Sequence, residues 1–150
     1  MKRMRFNNKL ILLIPAFWAC LVDLIVTSLN QPETYWRGDL NAAAEGNPLV
    51  YGFMENSVFG IFIFTLLWLI VIIVISYFLT PKICRIFALF ALMGHTWGAA
   101  TWIGFYYGFW YILLFILFNS VLFIFMEDIF TTRNNVQNET TACQKHESLK

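Results

Sequence analysis

The stretch IFALFALMGHTWGAATWIGFYYGFWYILLFILFNSVLFIFM, residues 86–126, runs for 41 positions without an Asp, Glu, Lys or Arg. As one helix, at ~1.5 Å per residue, it would reach roughly 60 Å, about twice the hydrocarbon thickness of a bilayer. It therefore divides in two, and GFYYG at residues 104–108 is the expected turn, with helices over 86–103 and 109–126. The aromatic crowd from Trp102 to Tyr111 suits a membrane–water interface, where amphipathic rings collect.

Working outward, two further apolar runs cover residues 10–29 and 57–79. The first follows a basic start at residues 1–9 but extends past the one processing position, Ala19-Cys20, with Phe17 and Trp18 where cleavage wants small residues. It reads as a retained helix, kinked at Pro15. Asn56-Ser57 is the expected cap of the second run, and Thr80-Pro81 its end. The sequence thus predicts an all-α membrane protein, a bundle of four transmembrane helices. Composition agrees: 13% of residues are charged, about half the ~25% usual in soluble domains.

The connections set an orientation. Residues 1–9 hold four Lys or Arg and residues 80–85 hold Lys82 and Arg85, whereas the loop at 30–56 sets Arg37 against Glu33, Asp39, Glu45 and Glu55. Basic flanks favour the cytoplasm. Both termini and the 80–85 loop are expected inside, the acidic loop and the 104–108 turn outside, in a plasma or inner membrane. Residues 127–150, rich in Asn, Thr and charge without apolar periodicity, read as a disordered cytoplasmic tail. The Asn138–Thr140 glycosylation sequon lies in that tail and reads as chance. A net charge of +1 gives no basic surface for nucleic acid. The expected partners are membrane lipid, a second copy of the chain or another membrane protein. The cysteines form no C-x-x-C pair, and Cys84 reads as a packing residue.

Ionisable groups inside a span are costly and default to functional roles. Asp23 and His95 are the two here. Helical spacing puts Ala16, Ala19, Cys20, Thr27 and Asn30 on the face of Asp23, and Ala88, Ala91, Ala99 and Trp102 on that of His95. Gly94 and Gly98 beside His95 make a Gly-x-x-x-Gly pair that admits a neighbouring backbone. Both small-residue faces are expected to meet, at depths differing by roughly 6 Å at ~1.5 Å per residue. Asn119, Ser120 and Thr65 read as interhelical hydrogen-bonding groups. In the loop, residues 39–45 suit a short helix stopped by Gly46, and Asn47-Pro48 suits the cap and first turn of another. Glu45 would then stand above Asp23.

Asp23-x-x-x-Thr27, followed by Glu45-x-Asn47-Pro48-Leu49, resembles a group of small prokaryotic multi-span membrane proteins that have an Asp and a Thr in one helix and Glu-x-Asn-Pro at the next. The resemblance covers roughly the first half of the chain, whose loop of 27 residues at 30–56 is longer than the group's. It implies no activity, but it implies that Asp23, Thr27, Glu45, Asn47 and Pro48 act together.

Three functions fit these residues. The first is a non-enzymatic assembly or partner-binding subunit. The second is a small proton- or cation-coupled transporter using Asp23. The third is a metal-dependent membrane hydrolase or transferase, with Asp23, Glu45 and His95 holding a divalent metal, since carboxylate and imidazole suit such ions. No phosphate loop, His-Glu-x-x-His or dinucleotide fingerprint is present.

Overall fold

The computed structural model describes residues 6–147, and every regular element among them is helical. In chain order they are α1 (Phe6–Leu29), α2 (Glu33–Trp36), a 3-10 turn (Leu40–Ala42), α3 (Pro48–Met54), α4 (Gly60–Phe78), α5 (Pro81–Tyr106) and α6 (Phe109–Glu147). Four of these helices, α1, α4, α5 and α6, are long and apolar enough to cross a membrane. The chain is an all-α, membrane-embedded bundle.

The hub is α1, which packs against α4, α5 and α6. Its contact with α5 is built from small side chains. Ala16, Ala19 and Cys20 on one helix and Ala88, Ala91 and Ala99 on the other are buried. Without a hydrophobic drive between helices in lipid, such close approach supplies the dispersion contacts that hold a bundle. Leu12, Leu13, Ile72, Leu92 and Phe130 complete the main core. By contrast, α4 and α6 direct most of their Leu, Ile and Phe outward.

The bundle is pinned at the end where α4 gives way to α5. Lys9 is buried, and its Nζ donates to the carbonyl oxygens of Ser76 (3.1 Å), Tyr77 (3.0 Å) and Leu79 (2.6 Å). Three ammonium protons thus meet three carbonyls at the negative end of α4. Nearby, Arg85 Nη1 lies 3.5 Å from Glu127 Oε1, and its guanidinium stands 5.1 Å from the Phe130 ring centre. These contacts join the start of α5 to α6.

Several boundaries differ from the sequence expectation. Pro81 occupies the first turn of α5, so Lys82 and Arg85 stand on that helix rather than in a separate basic loop. A proline lacking its N–H suits that position. The turn between α5 and α6 narrows to Tyr107 and Gly108, where Gly108 takes φ +95°. α4 starts at Gly60, not at Ser57, and there the preceding chain lies so close that a Cβ on Gly60 would strike the Phe53 carbonyl. The expected disordered tail is helical as far as Glu147. No Gly or Pro interrupts residues 109–147, and Asn8 Nδ2 donates to Asn134 Oδ1 at 2.8 Å, holding part of that extension against α1. Residues 1–5 of the basic start and 148–150 of the tail lie outside the described residues.

Candidate functional site

Asp23 and His95 are in contact. His95 Nδ1 lies 3.1 Å from Asp23 Oδ2. On the far side of the ring, Trp68 Nε1 donates to His95 Nε2 at 2.9 Å. An indole N–H only donates, so Nε2 presents its lone pair and the ring proton sits on Nδ1, aimed at the carboxylate. A protonated imidazole would set N–H against N–H at Trp68. The chain Trp68–His95–Asp23 therefore links α4, α5 and α1 by two directed bonds and fixes the histidine tautomer.

The fit depends on one glycine. A Cβ on Gly98 would lie 2.8 Å from both Asp23 oxygens, whereas one on Gly94 would meet nothing within 4 Å. The Gly-x-x-x-Gly pair is thus not a seat for a neighbouring backbone along its whole length. Gly98 makes room for a carboxylate, and Gly94 borders open space.

That space is a cavity of about 780 Å³ between α1, α4, α5 and the loop. Asp23, Thr27, Glu45, Asn47 and His95 all line it, so the candidate polar residues share one chamber. Its remaining wall is largely apolar and aromatic, with Phe64, Trp68, Phe90, Trp97 and Trp102 among the lining side chains. Phe90 and Trp97 are 70% and 76% exposed, so the rim of the cavity carries large exposed aromatic side chains.

The loop closes the other side. Residues 39–45 do not form the expected helix; a 3-10 turn at Leu40–Ala42 gives way to extended chain through Ala43. Gln31 holds that chain down. Its Nε2 donates to the carbonyls of Thr27 (3.2 Å) and Ala44 (2.9 Å), while its Oε1 accepts from the Ala44 amide (2.8 Å). Glu45 is thereby set over the cavity, its Oε1 accepting from the Asn47 amide at 2.6 Å. Asn47 caps α3 through the Leu49 amide (3.0 Å), with Pro48 at the first turn. Tyr35, buried, donates its hydroxyl to the Ser57 and Val58 carbonyls, both at 3.1 Å, and fastens the loop to the approach of α4. Burial raises the Glu45 carboxyl above its ordinary value, and the Asp23 carboxylate adds to the rise against the opposing Asn47 amide.

A metal site built from Asp23, Glu45 and His95 does not assemble. Among the described residues no group of three His, Cys, Asp or Glu side chains converges on a metal position. The lone pair of His95 Nε2 is already engaged by Trp68, and Nδ1 by Asp23. Of the expected interhelical groups, Asn119 donates to Thr96 Oγ1 across α5 and α6 at 2.9 Å. Thr65 and Ser120 instead bond carbonyls of their own helices, Ile61 and Ile116. Cys20 and Cys84 are buried free thiols, which leaves Cys84 to packing.

Sequence reasoning passed over Trp68 and Gln31. Trp68 sits in a helix of almost unbroken Phe, Leu and Ile, where an indole reads as wall material. Gln31 follows the span in a polar loop, where an amide reads as solvated. The one usable signal was the placement of Gln31 four residues beyond Thr27, on the face of Asp23. No protein-family model, no curated protein and no solved structure matches the chain.

Proposed function

We propose that the protein is a membrane-embedded binding protein that takes an amphipathic molecule from the bilayer into the Asp23–His95 cavity. The observation that carries this reading is a single chamber with polar groups at one part, aromatic walls, and a rim of exposed Phe90 and Trp97. Its volume, about 780 Å³, falls within the ~300–1,000 Å³ common for small-ligand sites. A polar head would meet Asp23, His95 and Glu45, and a chain would lie along Phe64, Trp68 and Trp97. Such binding serves an assembly or partner-binding subunit, and it also provides the first step of a transporter. The transport reading is favoured by the directed Trp68–His95–Asp23 chain, which joins three helices through one titratable pair.

In this reading the Lys82–Arg85 end faces the cytoplasm and the loop faces outward, following the bias of Lys and Arg. A reporter fused after Lys150 should read cytoplasmic and one inserted near Asn41 external; the reverse pattern overturns the orientation. The test of binding is native mass spectrometry of protein released gently from membranes. Wild type should retain one amphiphile per chain. Gly94→Leu, which projects a side chain into the open space, should lose it while remaining folded. An empty wild type, or equal retention by the variant, would contradict the proposal.

A further inference from the structure

We propose that the cavity selects an amphiphile whose head is an organic cation, an alkylammonium or a related group. This rests on the binding reading above and adds the chemistry of the head. Asp23 and Glu45 are the acidic side chains that line the chamber, and its lining includes no Lys or Arg. The partner that meets Asp23 is His95, whose other ring nitrogen accepts from Trp68, so the chamber sets two acidic side chains against a single imidazole. Two carboxylates sharing one low-dielectric chamber repel each other, and a cation placed between them relieves that repulsion.

The aromatic lining points the same way. Trp68, Trp97 and Trp102 border the chamber with Phe64 and Phe90. Indole faces attract ammonium groups, more strongly where water is excluded. A hard metal ion fits less well, because among the described residues no third ligand converges with the two carboxylates and both His95 nitrogens are occupied. An anionic head would face both carboxylates without a counter-charge. A neutral head would use the hydrogen bonds but leave the repulsion in place. The rim at Phe90 and Trp97 admits the alkyl part from the lipid side, and Gln31 holds Glu45 at the opposite wall to meet the head.

The experiment uses the full chain in a neutral maltoside detergent, with three probes of equal chain length: octylamine (an ammonium at neutral pH), octan-1-ol and octanoate. The reading is the unfolding midpoint as each is titrated. Octylammonium should raise the midpoint at lower concentration than octanol, and octanoate should fail to raise it. Glu45→Gln and Asp23→Asn should each weaken the octylammonium effect by about tenfold more than the octanol effect, equivalent to ~1.4 kcal/mol of lost charge contact. Should Asp23→Asn fail to fold, Glu45→Gln, altered in the loop, still decides the point. Equal responses to octylammonium and octanol would overturn the cation inference and leave the amphiphile reading standing. A stronger response to octanoate would overturn it as well. No response to any of the three would remove the amphiphile reading and the inference together.

Discussion

Replacing Gly98 by alanine adds one methyl group where the structure leaves no room for it. The new carbon would lie 2.8 Å from both oxygens of Asp23, closer than van der Waals contact permits. Either α1 and α5 separate or the carboxylate swings away from His95 Nδ1, now at 3.1 Å. Overpacking of this kind costs about 1–3 kcal/mol. Loss of a hydrogen bond between membrane helices adds about 0.6–1.7 kcal/mol. Alanine regains about 0.5–1 kcal/mol over glycine within a helix. The net expectation is a loss of about 0.6–4 kcal/mol, the overpacking term deciding the sign. Gly94→Ala is the internal control, since its Cβ meets nothing within 4 Å; it should be neutral or slightly stabilising. Both are measured by reversible unfolding in detergent. A cycle combining Gly98→Ala with Asp23→Ala should show a combined cost below the sum, because the methyl then has no carboxylate to strike. Equal behaviour of the two glycine variants, or strict additivity in the cycle, would refute the claim that Gly98 is the seat of Asp23.

Two further outcomes follow from the ends of the bundle. Lys9→Met leaves the Ser76, Tyr77 and Leu79 carbonyls without their ammonium donor and should destabilise by about 1–3 kcal/mol. Lys82→Met, at an exposed position, should change stability by about 0.5 kcal/mol or less; equal losses would remove the capping role. The Glu45 carboxyl is raised in the folded protein, by burial first and by Asp23 in addition. The folded state then holds the proton more tightly than the unfolded chain, so wild type loses stability as pH climbs from the ordinary carboxylate value through the raised one. Glu45→Gln should escape that loss and match wild type below the window. Parallel unfolding curves against pH would contradict the assignment.

Much of this was legible in the residues. Apolar length alone divides 86–126 into two helices, and small-residue spacing brings Asp23 and His95 to one interface. Asn47-Pro48 carries its cap in its own chemistry, an amide oxygen followed by a residue with no N–H to satisfy. Other features depend on geometry that local pattern does not carry. Lys9 counts in sequence as a flank charge, yet its long stem reaches three carbonyls at the end of α4. Residues 127–147 have the polar composition of a tail, but a helix already begun in the membrane extends at little cost where neither Gly nor Pro stops it. The two glycines beside His95 look alike in sequence; only the position of the Asp23 carboxylate tells them apart. The three-ligand metal set failed for a related reason, since Trp68, an unremarked wall residue, takes the lone pair that a metal would need.

Whether this cavity receives an amphiphile from the bilayer can be read by photo-crosslinking in intact membranes. An alkyl amphiphile carrying a diazirine on its chain would be activated in place and the modified positions mapped by mass spectrometry. Adducts should concentrate on cavity residues such as Phe64, Trp68 and Trp97 and should fall away in Gly94→Leu. Adducts spread along the outward face of α6, at Leu114 and Leu117, and unchanged in Gly94→Leu, would contradict the binding reading.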